Sequence, residues 1–357
     1  MACASNRFTE GEPMTCYHPL DAWIHPTKKT DQGKKLLLFK YDPQVCNGPF
    51  PDLQTECGRC VGCRLSKSRE WSVRCMHEAS LYWDNCWLTL TLNDEYLSTR
   101  ENPYSVQRGQ KSEITRFLKR LRKKYGVGIR YFYCAEYGET CFFCNKHEKN
   151  CSCDHFYAWR GRPHYHVCIF NHDFSDKRFF KTINGCHHYT SESLDALWTD
   201  PKSGLNMGWA TISELTADSA AYTARYSMKK ITGDMAEEDN PVTKIKHYER
   251  ISSDGEIVAL VPEYNSMSRC PGLGKGWLDK FPKEVLDNDA VLFKELRIKP
   301  PRFYDIKLSE IDALTVEENK QNRIDKAENS PDNTPERLMV REYITKQKTS
   351  NLYRKEI

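Results

Sequence analysis

The chain has 357 residues, enough to bury a substantial core in one large domain or two. Its 53 basic and 49 acidic residues leave a formal net charge of +4, which does not by itself establish a nucleic-acid partner. The first residues lack the apolar segment of a secretion signal, and no run of about 18 apolar residues occurs, which predicts a cytoplasmic protein without a membrane span.

The first 56 residues mix proline, glycine, cysteine and charge, with one predicted strand at 36–41, and we predict an arm that wraps the following domain. Sixteen cysteines in a reducing compartment are filler, metal ligands or reactive thiols rather than a disulfide framework. Cys57, Cys60 and Cys63 form a close triple that needs at least one more ligand for a closed tetrahedral Zn²⁺ site. The candidates for that ligand are Cys46 upstream, the nearest, and Cys75 or His77 downstream.

Two helices and a strand are predicted next. Residues 64–82 have an amphipathic helical pattern, and 87–92 alternate as a strand. Residues 112–125 form a second helix with an apolar stripe and a basic surface. Its candidate DNA-binding residues are Lys119, Arg120, Arg122, Lys123 and Lys124. Such a run is usually a solvated helix face, but it is also a credible track for phosphates.

Two further strands carry a candidate metal site. Residues 129–135 are predicted to be a strand that ends at Glu136, and the apolar run after His166 predicts a strand through His164 and His166. The period of two places both histidines on one face and Tyr165 on the other. Two imidazoles bind Mg²⁺ or Mn²⁺ weakly, so a carboxylate is the expected third ligand. Glu136 supplies it if its strand pairs with the histidine strand.

A cysteine-rich insertion at 139–160 separates these two strands. It contains four cysteines within thirteen residues: Cys141, Cys144, Cys151 and Cys153. This density favours a zinc-bound loop over scattered filler. We therefore predict a metal-stapled projection near the candidate metal site.

After the histidine strand, we predict a loop at 171–185, a short helix at 191–198 and a strand at 208–212. An alanine-rich helix at 220–230 follows, which Asp218 or Thr216 can cap. Tyr222 and Tyr226 are four residues apart and so share one helix face, with Lys229 and Lys230 one turn later. A β-hairpin is predicted within 244–261, and helical segments lie in the tail at 281–357.

Together these motifs resemble a known family. His164-Tyr165-His166 is similar to the histidine-hydrophobe-histidine motif of HUH endonucleases, and the Tyr222–Tyr226 helix resembles their two-tyrosine nucleophile helix. Further segments resemble the replication initiation proteins of gokushoviruses, which are single-stranded DNA phages of the microvirus group. These segments are Cys57–Arg64, Met76–Ala79, Leu88–Thr91, Glu136–Gly138 and Arg162–His164.

The resemblance implies an α+β protein with the HUH endonuclease fold: a central, mainly antiparallel five-stranded sheet flanked by helices, here with cysteine-rich zinc-binding insertions. It implies an N-terminal arm at 1–56, an endonuclease domain at 57–280 and a C-terminal helical tail at 281–357. The histidines and Glu136 would bind Mg²⁺ or Mn²⁺, and Tyr222 or Tyr226 would attack origin DNA to form a 5′-phosphotyrosine. The implied partners are single-stranded DNA at a replication origin and host polymerase and helicase, in the host cytoplasm.

Two other classes of function compete with this interpretation. A transposase or relaxase would share the fold and chemistry but act on a different substrate, and the wording of 57–79 favours the phage initiator. A non-catalytic, zinc-stabilised DNA-binding protein would keep the cysteines and the basic helix without needing either tyrosine.

Overall fold

The computed structural model describes residues 16–31, 33, 35–138, 161–226, 234–239, 244–252 and 254–353; the side chains of Tyr226, Asp234 and Met235 and those of 350–353 lie outside this description. The strands are β1 (Leu20–Lys29), β2 (Lys35–Leu38), β3 (Leu53–Thr55), β4 (Asn85–Thr91), β5 (Arg130–Tyr137), β6 (Pro163–Phe170), β7 (Arg178–Ile183), β8 (Cys186–Thr190), β9 (Ala210–Ser213), β10 (Glu249–Ile251), β11 (Ile257–Ala259), β12 (Tyr264–Met267), β13 (Val291–Phe293) and β14 (Leu296–Ile298). The helices are α1 (Val61–Ala79), α2 (Asp94–Ser98), α3 (Glu113–Tyr125), α4 (Glu192–Leu197), α5 (Ala217–Tyr226), α6 (Asp234–Glu237), α7 (Lys275–Leu278), α8 (Pro282–Asn288), α9 (Arg302–Leu308), α10 (Ala313–Glu328) and α11 (Pro335–Tyr353), with a 3₁₀ turn at Pro331–Asn333.

The chain divides into two compact units. One contains the described residues up to Arg69 together with those from Pro282 onward, and the other is Glu70–Phe281. In the first unit, β1 lies between β2 and β3 in an antiparallel three-stranded sheet, so the segment predicted as an arm with one strand contains more strand than expected. Arg323 of α10 binds the carboxylates of Asp289 and Asp305, which ties its helices together.

A seven-stranded sheet is the centre of the second unit, in the order β12-β5-β6-β4-β9-β8-β7. Every pairing in it is antiparallel. The α+β class and the antiparallel sheet are confirmed, but the predicted number of five strands is wrong. The loop predicted at 171–185 is also wrong, because β7 starts at Arg178 and forms a hairpin with β8 that extends the sheet at one edge.

The two faces of this sheet carry different cores. On one face, Leu88, Leu90 and Tyr165 pack with Phe117 of α3 and with Trp198. On the other face, apolar side chains of the sheet pack against the second half of α1 and against α5. These residues are Phe132, Cys168 and Phe170 of the sheet, Cys75 and Ala79 of α1, and Ala220 and Ala224 of α5. Side-chain alternation along β6 therefore places His164 and His166 on the face that α5 covers.

Helix α5 begins at the cap that the sequence indicated. The hydroxyl of Thr216 accepts a hydrogen bond from the backbone N–H of Ser219 at 3.2 Å, and the Ser219 hydroxyl accepts one from the N–H of Thr216 at 2.8 Å. This reciprocal arrangement satisfies two backbone donors at the start of the helix. It fixes where the helix starts and hence the height at which Tyr222 crosses the sheet.

Candidate metal centre and tyrosine helix

Glu136, His164 and His166 converge on one point of the sheet. Strand β5 pairs with β6 in the register that puts Glu136 directly opposite His164. Glu136 Oε1 lies 2.7 Å from His164 Nε2 and 2.8 Å from His166 Nε2. One oxygen between two imidazole nitrogens is the donor set of a three-ligand site for a divalent ion, and these three side chains could hold one.

Hydrogen bonds on the far side of each imidazole orient the rings. His164 Nδ1 lies 3.0 Å from the carbonyl oxygen of Arg162, which can only accept, so Nδ1 carries the proton and Nε2 presents its lone pair. His166 Nδ1 lies 3.1 Å from the hydroxyl of Thr89, which faces it from β4. Contacts of this kind fix the tautomer and the orientation of metal-binding histidines.

The Glu136 carboxyl is fully buried. Burial raises the pKa of this carboxyl, but the adjacent imidazoles of His164 and His166 outweigh that effect, so the net pKa is lowered. The group therefore stays ionised at neutral pH. A buried carboxylate that faces two histidine nitrogens supplies the negative charge that a hard divalent ion requires.

The ring of Tyr222 reaches this group from α5. Its centroid lies 5.0 Å from that of His166, with the planes at 84°. Trp87 completes the cluster: it stacks on His166 at 4.8 Å, and its indole N–H donates a 2.9 Å hydrogen bond to the hydroxyl of the buried Thr223. The structure thus brings Tyr222 next to the histidines and anchors its helix to the sheet one residue later.

Other residues of the predicted catalytic helix are only partly visible. Tyr226 is the last described residue of α5, and its side chain lies outside the described part, as do Lys229 and Lys230. Arg225 lies within it, and its guanidinium carbon is 5.8 Å from the centroid of the Tyr222 ring. The sequence analysis overlooked this cation, although its position between the two tyrosines was a signal for it.

A second candidate metal group lies in the first unit. The sulfurs of Cys16, Cys57, Cys60 and Cys63 all lie within 4.8 Å of one another. Those of Cys57 and Cys63 are 4.0 Å apart; sulfurs bound to one tetrahedral Zn²⁺ at about 2.3 Å are separated by about 3.8 Å. A hydrogen bond from the Cys63 thiol lowers the pKa of Cys60 to about 4, which favours the thiolate that a metal binds.

The fourth member of this group is Cys16, not the residue closest in sequence. Cys46, the favoured candidate, instead accepts a hydrogen bond from the backbone N–H of Asp42 at 3.4 Å. Cys16 accepts one from the N–H of Cys57 at 3.2 Å. The predicted cysteine cluster of the insertion lies outside the described residues, and its members are Cys141, Cys144, Cys151 and Cys153.

The basic helix α3 lies on the sheet face opposite the histidines, because its buried residues belong to the core around Tyr165. The guanidinium of Arg120 binds the carbonyl oxygen of Leu197 at 2.6 Å, and that of Arg122 binds the carbonyl oxygen of Ile129 at 2.9 Å. These two arginines therefore serve the fold. The other predicted DNA contacts are exposed amines, those of Lys119, Lys123 and Lys124.

The fold and the site define an α+β protein with a candidate metal group on an antiparallel sheet beside a tyrosine-bearing helix. The family of replication-associated proteins described under the name ORF2 matches residues 85–231. The chain is 31% identical to the replication-associated protein ORF2 of Spiroplasma virus 4, over 82% of this chain and 79% of that protein. It is 27% identical to the replication-associated protein VP4 of Bdellovibrio phage phiMH2K, over 82% of this chain and 76% of that protein.

These similarities place the chain: it belongs to the family of phage replication-associated proteins. No solved structure matches it. Within the described ranges, none of the helices is both long and apolar enough to cross a lipid bilayer.

Proposed function

We propose that this protein initiates rolling-circle replication by nicking origin DNA through a covalent 5′-phosphotyrosine and later rejoins the strand. The observation that carries the proposal is the Tyr222 ring 5.0 Å from the ring of His166, which itself lies 2.8 Å from the Glu136 carboxylate. Nucleophile and candidate metal ligands thus share one surface, as an HUH endonuclease requires.

The chain's own residues have distinct roles in this reaction. His164, His166 and Glu136 would hold Mg²⁺ or Mn²⁺, which supplies Lewis-acid polarisation of the scissile phosphate when bound. The phenolic oxygen of Tyr222 or Tyr226 forms a bond to phosphorus, the P–O3′ bond breaks, and the tyrosine keeps the 5′ phosphate while the 3′ oxygen leaves as a hydroxyl. That hydroxyl primes synthesis by host polymerase, with host helicase as a further partner in the cytoplasm.

Tyr222 and Tyr226 lie one helical turn apart, which gives the second tyrosine a use. After one round of copying it cuts the regenerated origin while the first still holds the old 5′ end, and transfer of the strand releases a circle. Nearby cations stabilise the phosphate charge and lower the pKa of the attacking phenol. They are Arg225, Lys229 and Lys230.

Zn²⁺ has a structural role in the proposal. Cys16, Cys57, Cys60 and Cys63 would bind one ion in the first unit. The insertion cysteines would bind another. The exposed amines of α3 would contact DNA phosphates distant from the cleaved one, since that helix lies across the sheet from His166.

A nicking assay tests the proposal. Circular single-stranded phage DNA is incubated with Mg²⁺ or Mn²⁺ and the wild-type chain, or with the double variant Tyr222→Phe, Tyr226→Phe. We expect the wild type to linearise the circle, and the double variant and a chelated sample to leave it intact. Tyr125→Phe is the matched control, because Tyr125 is exposed at the end of α3 on the other face.

Unchanged nicking by the double variant would reject covalent catalysis by these tyrosines and favour a different nuclease mechanism. Tight DNA binding without nicking by any variant, with both metals tried, would favour a non-catalytic zinc-stabilised DNA-binding protein. A transposase or relaxase is disfavoured by the relatives, whose names describe replication.

A further inference from the structure

Four side chains form a row across the central sheet on the face of the candidate metal centre. Glu136 on β5 pairs with His164 on β6, and His164 pairs with Thr91 on β4. The next residue in the row is Trp209, which precedes β9: the N–H of Thr91 donates a 2.8 Å hydrogen bond to the carbonyl oxygen of Trp209. Two strand spacings of about 4.8 Å each separate Trp209 from His164, a distance of about 10 Å.

The position of Trp209 is tightly fixed by its backbone. Its N–H donates a 3.0 Å hydrogen bond to the Thr91 hydroxyl, in addition to the bond its carbonyl accepts. Gly208 before it has a φ of +147°, and a Cβ at that position would lie 2.4 Å from the carbonyl oxygen of Thr91. Only glycine allows this close approach, so the indole is held at the rim of the sheet.

Trp209 and its neighbour Phe180 form an exposed aromatic pair. Their ring centroids are 5.8 Å apart, and the side chains are 64% and 41% exposed. Phe180 lies at an irregularity of the β7–β8 pairing, since Phe179 pairs with Tyr189 and Lys181 with His188. An extra residue of this kind re-aims a side chain out of the regular alternation.

The chemistry of this pair fits a nucleobase. Two rings that leave broad faces open to solvent, next to a site that handles a phosphodiester, offer stacking surfaces for unpaired bases. The ammonium of Lys181 lies 5.1 Å from the Phe180 ring and adds positive charge for the adjoining phosphates. The basic helix α3 lies on the opposite face, so it is not available to hold the bases next to the cleavage site.

We propose that Trp209 and Phe180 are a stacking platform for single-stranded DNA, which binds bases a few nucleotides from the phosphate held at His164 and His166. The inference rests on the proposed function for its placement relative to the cleaved bond. The distance of about 10 Å corresponds to about three stacked nucleotides at about 3.4 Å each.

The test measures binding of a fluorescein-labelled single-stranded oligonucleotide by anisotropy in the presence of a chelator, so that cleavage does not contribute. We expect Trp209→Ala to weaken binding about 10- to 100-fold, Phe180→Ala to have a smaller effect, and Trp209→Phe to retain most of the affinity, because a phenyl ring still stacks. Trp83→Ala is the matched control: Trp83 is fully exposed and lies outside the row. It should leave the affinity unchanged.

A second probe isolates stacking from folding. With an oligonucleotide of abasic sites, which keeps the phosphates, wild type and Trp209→Ala should bind with equal affinity. Equal binding of the base-containing oligonucleotide by Trp209→Ala and wild type would overturn the platform and leave the aromatic pair to another partner. An equal loss on both probes would overturn it too.

The nicking assay distinguishes this inference from the function on which it rests. If no variant nicks DNA but the base-dependent effect of Trp209→Ala persists, the platform stands and the endonuclease proposal fails. If nicking depends on the tyrosines while Trp209→Ala binds like wild type, the platform fails and the endonuclease proposal stands.

Discussion

The ring of Tyr222 meets the ring of His166 edge to face, with centroids 5.0 Å apart. The two residues belong to elements far apart in sequence, the helix α5 and the strand β6. Thr223 fixes this relationship from the next position, because its hydroxyl accepts the indole N–H of Trp87, which stacks on His166. A tyrosine hydroxyl carried by this helix can therefore reach a phosphate bound at the histidines.

Replacing Glu136 by glutamine tests the metal centre. The amide keeps the shape of the buried side chain but removes the charge that faces His164 and His166, so divalent-ion binding weakens. We expect the nicking rate to fall on the order of 100-fold or more, equivalent to several kcal/mol of lost metal-ion catalysis. Calorimetric Mn²⁺ titration and single-turnover nicking measure the two effects.

The control for this variant is Glu95→Gln, an exposed carboxylate in the first turn of α2. It should bind Mn²⁺ and nick DNA as wild type does. Wild-type Mn²⁺ affinity in Glu136→Gln would show that the carboxylate is not a ligand.

Thr89 is expected to act as a positioning residue. Its hydroxyl is the partner of His166 Nδ1 at 3.1 Å, and Thr89→Val removes that acceptor without changing the shape of the side chain. Loss of such a partner typically costs about 10- to 100-fold in metal affinity. Excess Mn²⁺ should restore the nicking rate of the variant, because the reacting groups themselves remain.

Thr211→Val is the matched substitution on β9, where Thr211 lies opposite Thr89 and one strand further from His166. It should leave the Mn²⁺ dependence unchanged. A nicking defect in Thr89→Val that no Mn²⁺ concentration relieves would contradict the positioning role.

The cysteine group of the first unit makes a prediction about zinc content. Cys57→Ser, and equally Cys16→Ser, should lower bound zinc by one ion per chain and reduce the melting temperature, because metal binding contributes directly to folding free energy. Cys46→Ser should retain the zinc of the wild type. Elemental analysis by mass spectrometry gives the stoichiometry, and the opposite ranking of Cys16 and Cys46 would restore Cys46 as the ligand.

The buried acid beneath the histidine strand should matter for stability. Glu113 accepts a 2.9 Å hydrogen bond from the Tyr165 hydroxyl and lies 3.2 Å from the guanidinium of Arg100, which is itself buried. Glu113→Ala leaves Arg100 uncompensated and should lower the free energy of unfolding by about 3–5 kcal/mol. Tyr165→Phe should cost about 1 kcal/mol. Urea denaturation measures both, and a loss below about 1 kcal/mol for Glu113→Ala would contradict this account.

The part of the fold that the sequence predicts is the part with strong local periodicity. Apolar and polar residues alternate through β4, so that its residues are buried in turn, and the strand predicted at 129–135 lies within two residues of the bounds of β5. Whether β5 pairs with β6 is a tertiary question, so the sequence predicts the proximity of Glu136 to His164 only as a condition. Pairing of the two strands fulfils that condition.

The features that the sequence analysis missed depend on contacts between distant segments or on overlooked turn chemistry. Cys16 is 41 residues from Cys57, and spacing rules favour close neighbours such as Cys46. The β7–β8 hairpin is hard to distinguish from a loop because its residues are mostly polar. Asn184-Gly185 was the available signal, since both residues have positive φ, 50° and 81°, as a two-residue hairpin turn requires.

The most direct test of the central claim is identification of the residue that becomes attached to DNA. The protein is incubated with circular single-stranded phage DNA and Mn²⁺, digested with nuclease and protease, and the nucleotide-bearing peptide is sequenced by mass spectrometry. This account predicts a nucleotide linked through its 5′ phosphate to Tyr222 or Tyr226. Cleaved DNA with a nucleotide on another residue, or with no protein adduct at all, would contradict it.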